Sequence, residues 1–193
     1  MKSFLTKDVY NFIVTGVNKD LSVLEASYRR KHPDVSKRPM SKNYYALHLI
    51  LKGSGKLVTP NGSFELKKND IFLSNRNAVH SLRCTQESNL LMVLQFDPTL
   101  CKEYYPRISR VRFNKTHILK STSPEYWGMF RECMDRIVAC YCKKEDGYAI
   151  EMMSLLNHML FCMLRYDDYT VLDEKTAAAE NRNMTRLRRI IEY

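Results

Sequence analysis

Residues able to do chemistry are sparse in this chain, and their spacing argues against catalysis more than for it. The six cysteines, at 84, 101, 133, 140, 142 and 162, include no Cys-x-x-Cys pair, so neither a zinc ribbon nor a dithiol redox motif is present. Four of them fall in segments that read as apolar helix faces, where a thiol serves as a small, reduced core residue. Cys84 has no helix N-terminus and no obvious base near it in sequence, the surroundings that turn a thiol into a nucleophile. Glu65 and Asp70 adjoin turns, where carboxylates ordinarily meet solvent, and no pair of carboxylates is spaced for general acid and base work. The densest basic run, Arg29-Arg30-Lys31-His32 before Pro33, reads as a solvated loop. No catalytic residue is expected.

The elements around these residues are legible from their periods. At 193 residues, 45% hydrophobic and 27% charged, the chain has the composition of one globular domain with appendages. Its longest aliphatic stretch, Leu90 to Leu94, is far too short to cross a bilayer, and Lys7 and Asp8 interrupt any apolar leader, so a cytoplasmic protein is expected. Residues 1–113 carry 19 Lys/Arg against 9 Asp/Glu, while residues 114–193 carry 12 against 12, so the whole excess of +10 lies in the first part. Between Tyr44 and Phe96 the pattern is that of strands. Tyr45, Leu47, Leu49 and Leu51 alternate with their neighbours up to Gly53-Ser54-Gly55, and Pro60-Asn61-Gly62 closes a hairpin. Further strands start at Ile71 and Leu90, and several short strands at close spacing suggest a sandwich or barrel. From Ser123 the period changes to that of a helix, broken at Lys143 to Gly147 and resumed from Tyr148 to about Tyr166, which reads as an antiparallel helical hairpin. Residues 167–183 look like a linker, with a short helix possible over Thr176 to Glu180, and an amphipathic basic segment starts at Met184.

The run from Tyr44 through Gly53-Ser54-Gly55, Gly62, and Leu66-Lys67-Lys68-Asn69-Asp70-Ile71-Phe72-Leu73-Ser74-Asn75 to His80 resembles the cupin core of AraC-type transcription regulators. That family's pattern is a strand, Gly-x-Gly, a hairpin, a Gly-Asp turn, a strand, a proline and a histidine. Here Asn69 replaces the turn glycine, as its tolerance of the left-handed region allows, and Asn75 replaces the proline. Arg38-Pro39 precedes the first core strand, two helices follow the strands, and Arg188-Arg189-Ile190-Ile191-Glu192-Tyr193 is similar to the opening of the family's DNA-binding domain.

The resemblance implies a mainly β fold with α: a cupin-like β-barrel (double-stranded β-helix) followed by a helical hairpin. It divides the chain into a sensor barrel with its N-terminal arm at 1–113, a helical dimerisation segment at 114–166, a linker at 167–183, and the start of a helix-turn-helix domain at 184–193. It implies no enzyme but the regulatory domain of a bacterial regulator: a homodimer that senses a small organic molecule and reaches DNA only through a C-terminal domain outside this chain. Tyr45, His48, His80, Leu82, Leu91 and Val93 are the expected effector contacts inside the barrel, with Arg38 reaching in from the preceding segment. Leu82, Leu91 and Val93 stand where the arabinose-binding member has polar and aromatic sugar contacts. Three aliphatic groups cannot pair buried hydroxyls, so an anionic or amphipathic effector is expected, with Arg38 meeting the anion. These leucines could equally just fill the barrel. Phe130, Ile137, Met152 and Leu156 are candidates for the dimer interface or the core. Two rival readings remain, a metal-dependent cupin enzyme and a dimerisation module that binds nothing. The first requires several His and a carboxylate, of which only His80 stands at a matching place, so no metal and no cofactor are expected.

Overall fold

In a computed structural model, residues 13–14, 23–31, 44–84, 89–96, 105–114, 117–118 and 123–191 are described. The central strand pair is apolar on both faces, and that fixes the architecture. In β3 (Tyr45–Lys52) the first six residues are all buried, and β8 (Asn89–Phe96) is buried from Leu90 onward. The two pair antiparallel with Leu47 opposite Leu94 and Leu49 opposite Met92. Tyr45, Leu47, Leu49, Met92, Leu94 and Phe96 point to one core, while Ile50, Leu91 and Val93 point to another. A strand buried on both faces needs a layer on each side.

One layer is a second sheet. The six-stranded sheet has the order β1-β2-β8-β3-β6-β10, where β1 is Ile13–Val14, β2 Val23–Lys31, β6 Ile71–Ser74 and β10 His117–Ile118. Facing it is a three-stranded sheet of β5 (Gly62–Lys67), β4 (Ser54–Thr59) and β7 (Ser81–Cys84). The hairpin between β4 and β5 turns at Pro60-Asn61, with Thr59 opposite Gly62, whose φ of 137° explains the glycine. Leu57, Leu66 and Leu82 of the small sheet meet Ile50, Phe72, Leu91 and Val93 of the large one. Chain transfer between the sheets uses the turn Lys67 to Asp70, in which Asn69 takes φ 76° and the Lys67 N–H donates to Asp70 Oδ2 at 2.9 Å. Asp70 is therefore buried at the turn rather than turned to solvent as expected. The fold is mainly β with α, as read from the sequence. Among the described residues, no ladder joins the two sheets into a closed barrel.

The other layer is helical. Helices α1 (Pro124–Lys143) and α2 (Tyr148–Tyr166) are joined by a turn in which Lys144 and Gly147 both take positive φ. Phe130, Met134 and Ile137 of α1, with Met152, Leu156, Met159 and Met163 of α2, cover the face carrying Tyr45, Leu47 and Leu94. The Trp127 indole N–H donates to the Asn69 carbonyl and ties the start of α1 to the inter-sheet turn. This packing corrects the expected dimer contacts. Phe130, Ile137 and Met152 are fully buried and Leu156 is 2% exposed, all in the chain's own core, so none is available to a partner. The outward face of α2 instead presents Ile150 and Phe161, with Tyr166 at its end.

Two further expectations are corrected. The basic run Arg29-Arg30-Lys31 is not a loop but the end of β2, where Arg30 pairs with Leu90 and Lys31 with Asn89. The segment 167–183 is not irregular. Residues Tyr169–Val171 form β11, which pairs with β9 (Val111–Phe113), and α3 runs unbroken from Glu174 to Ile191. Asp173 starts this helix, accepting from the Thr176 N–H at 2.9 Å and the Thr176 hydroxyl at 2.6 Å.

Candidate functional site

A pocket of about 620 Å³ opens at the end of the sheets where β6 runs out. The chain turns back through Asn75 to His80, with Asn77 at φ 59° and the Ala78 N–H bonded to the Asn75 carbonyl at 3.2 Å. Asn75 explains its own place in the sequence. Its amide donates to the Phe113 carbonyl and accepts from the Phe113 N–H, both at 2.9 Å, so one buried side chain stands in for a strand and pins β9 beside β6. A proline could supply neither bond. On the far side of the loop, His80 Nδ1 lies 3.3 Å from the Ala78 carbonyl and Nε2 3.3 Å from Ser74 Oγ. A carbonyl only accepts, so Nδ1 carries the proton, and in the neutral ring Nε2 accepts from the Ser74 hydroxyl.

Among the described lining residues, the cation at this pocket is Arg112. It projects from β9 into the lining with Ser74, Asn75 and His80, while Leu57, Phe64 and Val79 give the wall an apolar part. Its Nη2 donates to both carboxylate oxygens of Glu180 on α3, at 2.9 and 2.8 Å. A neighbouring lining residue, Asn77, donates to Asn181 of the same helix at 2.7 Å. Such a wall can bind a molecule with an apolar body and an acceptor-rich or anionic head.

The expected contacts divide. His80 lines the pocket. His48 lies on the inner face of β3, its ring stacked on Phe72 with centroids 4.2 Å apart, and His80 approaches it edge-on at 6.0 Å. Leu82, Leu91 and Val93 do face the space between the sheets, but each is at most 2% exposed, and together with Ile50, Leu57, Leu66 and Phe72 they fill it. Tyr45 is corrected outright. It points to the opposite, helix-covered face, stacks on Phe96, and donates its hydroxyl to the Val111 carbonyl at 2.7 Å. Arg38 lies outside the described residues. Arg112, Ser74 and Asn77 escaped the sequence reading, although the basic spacing of Arg107, Arg110 and Arg112 is visible in it.

Other chemistry is muted. Burial pushes the thiols of Cys133, Cys142 and Cys162 above the usual cysteine range. Burial and a hydrogen bond to Glu151 push Cys140 up to about 11. Among the described residues there is no group of three or more His, Cys, Asp or Glu that could hold a metal ion, and no helix is long and apolar enough to cross a membrane.

Two facing antiparallel sheets with a helical hairpin on one outer face, and a pocket at the sheet ends, define a cupin-type binding domain. Residues 23–160 match the family model of the AraC-like ligand binding domain, and the chain belongs to that family. No curated protein matches it. Among solved structures, the cupin domain of Schizosaccharomyces pombe Cnp3 is similar at 17% identity and a TM-score of 0.41, over 49% of this chain and 69% of that one. An HTH_3 family transcriptional regulator from Vibrio cholerae is similar at 12% identity and a TM-score of 0.39, over 45% of this chain and 49% of that one. A cupin protein from Bacteroides fragilis is similar at 17% identity and a TM-score of 0.34, over 38% and 64%. The chain spans roughly half to two thirds of the length of the structures first matched, from 45% to 64%.

Proposed function

We propose that this chain is the effector-binding and dimerisation part of a bacterial, cytoplasmic AraC-type regulator, and that it is not an enzyme. In this reading a small organic acid, apolar in body and anionic at one end, binds in the pocket beside Arg112 and controls DNA binding by a C-terminal domain. The observation that carries the reading is the family match over residues 23–160. The choice of an acid over a sugar rests on the lining. Thr59, Asn61, Ser74 and His80 in that lining can pair hydroxyls, so the choice rests on Arg112, whose guanidinium pairs a carboxylate with charge-assisted bonds that a neutral sugar cannot make. The homodimer would use the outward face of α2, where Ile150 is 72% and Phe161 57% exposed.

One observation favours a second reading. The space between the sheets is filled by its own side chains, as expected of a module that dimerises and binds nothing. Ligand-dependent thermal shift separates the two. An acid present at about 100 times its dissociation constant adds about 2.7 kcal/mol to the stability of a binding domain and nothing to an inert one. Metal analysis of the purified chain tests the enzyme alternative, since a metal-dependent cupin retains a stoichiometric ion. Sedimentation at high micromolar concentration tests the dimer, and a single monomeric species there would contradict it.

A further inference from the structure

The pocket and the last helix share a residue. Arg112 lines the pocket, and its guanidinium is held at the same time by both oxygens of Glu180 on α3. Asn77, also in the lining, holds the next residue of that helix, Asn181. Among the described residues, a further charged tether, Arg110 to Glu174, is long at 3.8 Å, and the Glu174 side chain is 87% exposed. Two of the contacts that dock helix α3 are thus made by residues that also form the wall of the pocket. Of the helix's half-buried positions, Ala177, Glu180 and Met184 fall on one stripe and Ala179 lies off it.

We propose that Glu180 is a built-in competitor for the effector's anionic group, so that ligand binding loosens α3 and docked α3 weakens ligand binding. The inference rests on the acid-binding reading above and specifies how that site is regulated. A ligand carboxylate brought to Arg112 stands beside the carboxylate of Glu180, and two like charges on one guanidinium repel each other. The Arg112–Glu180 pair can give way because it is partly solvated, with side chains 39% and 29% exposed. Reciprocity then follows from linkage: whatever factor docked Glu180 imposes on the acid, the acid imposes on docking. The helix gives the change reach. It continues without a break over 18 residues to Ile191, about 27 Å, so that release at Glu180 frees a stiff rod rather than a slack tether.

The test uses the whole chain and four probes: octanoate, 3-phenylpropionate, octanol and glucose. Affinity is measured calorimetrically for wild type, Glu180→Gln and the control Glu174→Gln. Amide exchange over residues 174–186 reports docking. The expected result is an acid that binds Glu180→Gln about tenfold more tightly than wild type, within the range of ordinary coupling. Octanol should bind all three proteins alike, Glu174→Gln should match wild type, and the acid should speed exchange in α3 of wild type. If an acid binds wild type and Glu180→Gln within twofold of each other, or binds the variant more weakly, the competition is wrong while the acid site stands. Unchanged exchange in α3 on acid binding overturns it in the same way. If neither acid binds any of the proteins, both the site and the competition fall.

Discussion

Replacing Asn75 with alanine should cost more stability than its position at the end of a short strand suggests. The side chain is 7% exposed and makes two 2.9 Å hydrogen bonds to the main chain of Phe113. Truncation leaves a peptide N–H and a carbonyl with their partner gone, and each buried group so orphaned costs about 1–3 kcal/mol. Because Asn75 also lines the pocket, water can reach part of the gap and hold the loss toward the lower half of that sum. We expect a destabilisation of about 2–4 kcal/mol, which for a domain of this size lowers Tm by roughly 5–15 °C. Urea unfolding should show the midpoint falling with the slope unchanged. Asn181→Ala is the matched control, since it removes the exposed bond to Asn77 without disturbing the left-handed backbone at Asn77, and should cost at most about 1 kcal/mol. A loss below about 1 kcal/mol for Asn75→Ala, or one equal to that of Asn181→Ala, would refute the claim that Asn75 pins β9.

Tyr45→Phe should cost about 1–2 kcal/mol in urea unfolding, because it strips the donor from the buried Val111 and Ile108 carbonyls while sparing the stack on Phe96. A neutral result would show that the hydroxyl does not matter to the β3–β9 contact. In the folded protein Cys140, whose thiol is pushed up to about 11, should resist iodoacetamide at pH 7.5 and label only as the pH approaches that value. Labelling at the unfolded rate would contradict the burial assigned to it. The Asp173 carboxyl, lowered chiefly by its bonds to Thr176, caps α3. The cap should be intact above the usual aspartate range near pH 4 and lost as the pH falls through the lowered value, seen as a fall in the protection of the Thr176 amide relative to its intrinsic exchange rate at each pH. Protection that stays constant down to about pH 2 would mean the carboxylate is not the cap.

How much of this was legible depends on how local the determinants are. Helix α2 runs from Tyr148 to Tyr166 as its stripe of Met152, Leu156, Met159 and Met163 foretells, and the β4–β5 hairpin turns where Pro60-Asn61-Gly62 places it. Those signals sit within a few residues of what they determine. Strand β2 carries Arg29, Arg30 and Lys31 and is a strand only because β8 lies alongside it, more than 50 residues away in sequence. The same holds for β9 and β11, three residues each, which exist by pairing with one another. Helix α3 was hidden differently. Ala177-Ala178-Ala179 has the highest helical propensity, but the segment has no broad apolar stripe, and polarity alone resembles a linker. The site inherited these gaps. His80 was visible through its spacing, whereas Arg112 acquires a role only once β9, β11 and α3 are in place. Helix faces were ambiguous too, since Phe130 and Met152 look equally suited to a core or to a partner until the sheet is seen beneath them.

Calorimetry on wild type, Arg112→Gln and Arg38→Ala tests most directly whether an organic acid binds beside Arg112. The titrants are neutral sugars and aliphatic and aromatic acids. At least one acid should bind wild type, and Arg112→Gln should weaken it by about 10- to 100-fold, the loss of one charge-assisted contact worth roughly 1.5–3 kcal/mol. Tight binding of a neutral sugar, or an acid that binds Arg112→Gln as well as wild type, would contradict the account.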